Sequence, residues 1–75
     1  MAEIVIDARG MVCPLPIIEL ARAAADASAG DEITVSCTDV AARSDVPAWA
    51  RMTGNEFIGE TETDGGAFAL TVRLR

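Results

Sequence analysis

Met11-Val12-Cys13-Pro14-Leu15-Pro16-Ile17-Ile18-Glu19-Leu20 is the stretch on which the fold turns. A cysteine stands directly before a proline, and a second proline follows two places on. From Ile17 to Ala25 the chain reads as helix. Proline is welcome in a first helical turn, because its missing N–H would have no partner there. Pro14 and Pro16 therefore mark a helix start, with Cys13 at or next to the N-cap. First-turn N–H groups lack intrahelical partners and carry the positive end of the helix dipole. A thiolate placed there is expected to be stabilised, with a lowered pKa and raised nucleophilicity.

Upstream, Glu3 to Asp7 reads as a short strand in which Ile4 and Ile6 share one face and Val5 looks the other way. Ala8 to Val12 form a loop, with Gly10 giving backbone freedom. Downstream, the helix is expected from about Pro14 to Ala29, with Ile17, Leu20, Ala21 and Ala24 on one stripe. Arg22 and Asp26 are spaced for an i,i+4 pair, and Gly30 stands where a C′ glycine would stop the helix. Ile33 to Thr38 alternates as a strand, with Ile33, Val35 and Cys37 on one face. Thr38 or Asp39 can cap a second helix carrying Val40, Ala41, Val46, Trp49, Ala50 and Met52 and ending near Gly54. Pro47 either kinks that helix or moves its start to a Ser44 N-cap. Phe57 to Thr63 is a third strand and Ala67 to Leu74 a fourth, with Phe68, Leu70, Val72 and Leu74 in phase. Asp64-Gly65-Gly66 between them signals a hairpin with a two-residue loop.

The order is β-α-β-α-β-β. A helix between strands 1 and 2 implies a parallel, right-handed crossover, and strands 3 and 4 form an antiparallel hairpin. Alternating strands suit a sheet covered on one side. The expected fold is α/β (α+β): a two-layer sandwich with two helices on one face of a four-stranded mixed sheet, spanning residues 1–75 as a single domain. The helix-1 N-terminus then lies at the carboxyl edge of strand 1, the edge where ligand sites gather in open α/β sheets.

The chain has 75 residues, 51% of them hydrophobic, and a net charge of −6; all six basic residues are Arg. Such a balance argues against binding to nucleic-acid backbones and suits protein partners with basic surfaces. His, Lys and Tyr are absent. That excludes Ser-His-Asp chemistry, a His-assisted cysteine, a Schiff base and His-containing zinc sites. No apolar run is long enough to span a membrane, and no leader reads as a signal peptide. A cytoplasmic protein with two free thiols is the expectation. Two cysteines 24 apart lack the ligand number for a metal, so no metal site is expected.

The stretch Asp7-Ala8-Arg9-Gly10-Met11-Val12-Cys13-Pro14-Leu15-Pro16 resembles the signature of the TusA (SirA-like) sulfur-carrier family: an Asp and a Gly upstream of Cys-Pro-x-Pro at a helix start. Asp39, Asp45-Val46-Pro47 and Trp49 match the family's second half. Val40 departs from it, standing where the family usually has proline. The resemblance implies that Cys13 carries sulfur as a persulfide, with no other cofactor. The sulfur would come from a donor of the cysteine desulfurase or rhodanese type and go to an acceptor protein. Family routes lead to thiolated tRNA, molybdenum cofactor and sulfur oxidation. The protein would be a relay, monomeric when free, rather than a self-sufficient enzyme.

Around Cys13, Asp7 is expected to position the loop through backbone N–H groups, and Gly10 to serve a backbone conformation. Arg9 would stabilise the thiolate or contact a partner. Pro14 and Pro16 fix the helix start. Met11, Val12 and Leu15 are candidates for a docking patch, Met11 foremost. Cys37 and Trp49 read as core, and Glu60, Glu62 and Asp64 as a solvated face. Two rivals remain: a thiosulfate-processing or thiol redox protein, and a regulatory interaction module in which Cys13 is only a cap.

Overall fold

The structure is a computed structural model and describes residues 2–75. Its elements are β1 (Glu3–Ala8), α1 (Leu15–Asp26), β2 (Glu32–Cys37), α2 (Ala42–Thr53), β3 (Glu56–Glu62) and β4 (Phe68–Arg73). The strands lie in the order β1-β2-β4-β3. β1 and β2 are parallel, while β4 is antiparallel to both β2 and β3. This is the mixed four-stranded sheet with two helices expected from the alternation of elements.

Period-2 patterning gives the sheet its two faces. Ala8, Ile33, Val35, Cys37, Phe68, Leu70 and Val72 are buried, with Ile4 and Ile6 packed beside them. Against that face α1 lies over β1 and β2, and α2 lies over β3 and β4. Leu20 from α1 and Ala42, Val46 and Ala50 from α2 close the core. The opposite face is polar. Thr34 and Thr71 hydroxyls meet at 2.9 Å, and Arg73 reaches Glu32 at 2.7 Å.

β3 carries an irregularity: Phe57 pairs with Val72 and Gly59 with Thr71, which leaves Ile58 outside the ladder as a bulge. The β3–β4 connection is a three-residue loop, not the expected two-residue one. The Thr63 N–H donates to the Ala67 carbonyl at 2.9 Å across Asp64–Gly66, and Gly65 and Gly66 both take positive φ.

α1 stops at Asp26, short of the expected Ala29, and Gly30 is not its C′ residue. Ala27 turns extended. The Ser28 N–H donates to the Asp31 carboxylate at 2.9 Å, and the Gly30 N–H donates to the Leu74 carbonyl at 2.7 Å. The chain is thus drawn into β2 before the helix can use these residues. Asp31 is itself buried and also accepts the Ala2 N–H at 2.9 Å. Arg22 pairs with Glu19 at 3.6 Å rather than with Asp26, and Ala21 is exposed.

α2 starts at Ala42, not after Ser44. Asp39 accepts the Ala41 N–H through Oδ1 and the Ala42 N–H through its carbonyl, so Asp39 supplies the cap. Pro47 lies inside the helix. Its missing N–H removes only the bond that the Arg43 carbonyl would accept. Gly54 ends the helix at φ 75°, and the Asn55 N–H reaches back to the Ala50 carbonyl at 2.8 Å, a Schellman closure. Val40 and Ala41, expected within this helix, precede it; Val40 is 66% exposed, and Met52, inside the helix, is 84% exposed.

Candidate functional site

The connection between β1 and α1 is shaped by its own polar residues. Asp7 accepts the Arg9 N–H at 3.2 Å and holds the Arg9 guanidinium through two bonds of 2.8 and 2.9 Å. The pair drives the Asp7 carboxyl down to about 2, chiefly through the guanidinium. Gly10 takes φ 82°, a conformation that suits glycine. Its N–H donates to Thr38 Oγ1 at 2.9 Å, which ties the loop to the end of β2. Arg9 is thereby committed to Asp7.

Cys13 follows, exposed, one residue before the Pro14 N-cap; Pro16 lies in the first turn and is buried. The Cys13-Pro14 peptide bond is cis. Two carboxylates from the chain's second half converge here. Asp39 Oδ2 accepts the Cys13 N–H at 2.8 Å. The Cys13 thiol donates to Asp45 Oδ2 at 3.2 Å. Asp45 comes from the first turn of α2, and Asp39 from the turn that leads into it.

This reverses the expected electrostatics of the sulfur. The hydrogen bond to Asp45 pushes the Cys13 thiol above its ordinary value, and lost solvation and the fields of Asp45 and Asp39 push the same way. The helix end does not counter them, for a reason visible in its donors. Pro14 and Pro16 have no N–H. The Leu15 N–H goes to the Val12 carbonyl at 2.9 Å, and the Ile17 and Ile18 N–H groups both go to the Pro14 carbonyl at 3.1 Å. The prolines that mark the helix start also strip it of the amides a thiolate would need.

A groove of about 330 Å³ opens beside the sulfur between the two helices. Cys13, Pro14 and Ile17 on the α1 side and Asp45, Ala48, Trp49 and Met52 of α2 line it. Trp49, read as core, is half-buried and forms part of this wall. Among the proposed docking residues the order is inverted. Met11 packs against the core, while Val12 and Leu15 are 65% and 45% exposed. Asp39, Asp45 and Met52 were not anticipated at the site. The Asp-Val-Pro segment was visible, but its 32-residue separation from Cys13 hid the contact.

Cys37 is fully buried in the core, as its phase with Ile33 and Val35 requires; burial pushes its thiol up. Both cysteines are free. Glu60 is not simply solvated, since Arg43 pairs with it at 2.7 Å while lying 4.1 Å over the Phe68 ring. Among the described residues no group of His, Cys, Asp or Glu is arranged to hold a metal, and no helix is long and apolar enough to cross a membrane.

Comparison with known proteins gives a consistent set of likenesses. The family model described as sulfurtransferase TusA matches residues 4–74. YrkF of Bacillus subtilis is 41% identical over 64 residues, which is 85% of this chain; the chain spans 34% of that protein's length. Sulfur carrier protein TusA of Allochromatium vinosum is 35% identical over 68 residues, covering 91% of this chain and 88% of the relative. The crystal structure of a SirA-like protein from Desulfitobacterium hafniense matches with a TM-score of 0.83 at 31% identity, over 97% of this chain and 96% of that one.

Proposed function

This chain belongs to the TusA family, and on that premise we propose that it is a sulfur carrier whose Cys13 takes up sulfane sulfur as a persulfide. The observation that carries the reading is the exposed Cys13 sulfur on the loop before α1, with the second thiol sealed in the core. A buried partner thiol leaves Cys13 without a resolving cysteine inside the chain, so sulfur must arrive from and leave to other molecules. This counts against the thiol redox alternative.

The exchange balances without an oxidant. Cys13 sulfur attacks the outer sulfur of a donor persulfide, R–S–SH, and the donor S–S bond breaks. Cys13–S–SH forms, and the donor departs as R–SH with the proton that Cys13 gave up. An acceptor thiol then attacks the outer sulfur of Cys13–S–SH, and Cys13 regains its proton as the leaving group. Donors of the cysteine desulfurase or rhodanese type supply such persulfides; an acceptor relay protein in tRNA thiolation, molybdenum-cofactor synthesis or sulfur oxidation consumes them. The cytoplasm, where thiols stay reduced, suits this chemistry.

The test is intact-protein mass spectrometry after incubation with a cysteine desulfurase and cysteine. The wild type is expected to gain about 32 Da, removed by dithiothreitol, and Cys13→Ser to gain nothing. No gain on the wild type, or a gain that survives Cys13→Ser, would refute the carrier reading.

A further inference from the structure

A sulfur that must shed its proton before it can attack lies 3.2 Å from a carboxylate, the kind of group that opposes that loss. We propose that Asp45 is a specificity-determining residue for the sulfur relay: it keeps the proton on Cys13 and repels anionic sulfur compounds, so that Cys13 refuses small anionic donors of the thiosulfate class. This rests on the carrier reading of Cys13 and adds to it which sulfur sources the site turns away.

Among the described residues, the charges that face the sulfur have one sign. From α2 comes Asp45, at the sulfur itself. From the β2–α2 connection comes Asp39, whose Oδ2 holds the Cys13 N–H at 2.8 Å. From Cys13's own loop, Asp7 and Arg9 are closed on each other by two hydrogen bonds. The first turn of α1 contributes no acidic residue, and its amide donors are spent within the turn. An anion approaching Cys13 therefore meets two carboxylates, with no cation among the described residues in contact with the sulfur to offset them. The groove beside it, walled mainly by the apolar surfaces of Ile17, Ala48, Trp49 and Met52, offers an anion little to replace its water. A protein donor differs in one respect: it can present its persulfide together with its own cationic and apolar groups.

The test uses the full chain and two reagents that differ in charge, iodoacetamide (neutral) and iodoacetate (anionic), on wild type, Asp45→Asn and Asp45→Ser. Alkylation rates are followed from about pH 6 to about pH 10, across the ordinary thiol range. Circular dichroism melts confirm that each variant is folded. Both variants are expected to titrate at lower pH than wild type. Iodoacetamide should then react faster at neutral pH, by about tenfold for each unit the midpoint falls. Iodoacetate should gain more than iodoacetamide, with the excess shrinking as salt is added. An unchanged or higher midpoint in both variants overturns the proton-holding role, and equal gains by the two reagents overturn the discrimination. Alkylation needs no persulfide, so a failed sulfur-loading assay beside a clear Asp45 effect would sink the carrier reading alone.

Discussion

Cys13 and Asp45 stand 32 residues apart in the chain and 3.2 Å apart at the sulfur. That contact, with the Asp39 bond to the Cys13 N–H, belongs to the tertiary fold, and no local pattern announces it. A residue's burial phase is easier to read. Cys37 alternates with Val35 and Ile33, and all three are sealed. A count of accessible thiols should therefore find one that reacts in the native protein, lost in Cys13→Ser, with the second reacting only after denaturant. Two thiols reacting in the native protein would contradict the burial of Cys37. Asp31 makes the opposite case, a charged residue buried for its two backbone partners, Ala2 and Ser28. Its carboxyl is held below the ordinary 3.8, first by the Ser28 N–H; Asp39 is lowered likewise by the Cys13 N–H, and Asp7 to about 2 by Arg9. Depressed folded-state values mean that these contributions are whole above the unfolded value and fade as pH falls through the folded ones. The melting temperature should thus drop as pH is lowered from about 5 to about 2, and Asp31→Asn should flatten part of that slope while lowering the melt at neutral pH. A wild-type melt that does not change across this range would count against the pairing.

At the scale of elements, periodicity served where a face was buried and failed where a distant residue claimed the backbone. β2 and β4 alternate cleanly because one face meets the helices and the other meets water. The alanine-rich run after Ala23 has every local reason to continue as helix. It stops because the Asp31 side chain, three residues on, takes the Ser28 N–H and the distant Leu74 carbonyl takes that of Gly30, neither of them a helical acceptor. In α2, Met52 is exposed at the groove. Trp49, one turn earlier, is only half-buried, because there is no third layer to cover them. The thiol's electrostatics escape a local reading for a similar reason: prolines identify a helix start while removing its free amides. Gly54 offers a clean test of a helix end. A Cβ there would meet no atom within 4 Å, so Gly54→Ala is strained only by its φ of 75°. It should cost about 1 kcal/mol in denaturant melts. A neutral result would mean that the Schellman closure is not held as described.

For the molecule as a whole, one small core carries the fold. A chain of this length has a total stability of about 4–11 kcal/mol. Leu20 is the large fully buried residue through which α1 meets the sheet. Leu20→Ala should remove about 2–5 kcal/mol and lower the melting temperature by more than about 10 °C; a loss under about 1 kcal/mol would show that α1 can be loosened without disturbing the core. The two sheet edges are treated differently. β1 is short and continuous, whereas β3 carries Ile58 outside its ladder. A second chain that tried to add a strand along β3 would find its donors and acceptors out of step after two residues, and the local twist would turn the rest away. The extra residue thus acts as a guard against fibril growth from that side. Deleting Ile58 would straighten the edge and hand a growing fibril a template that the native fold withholds.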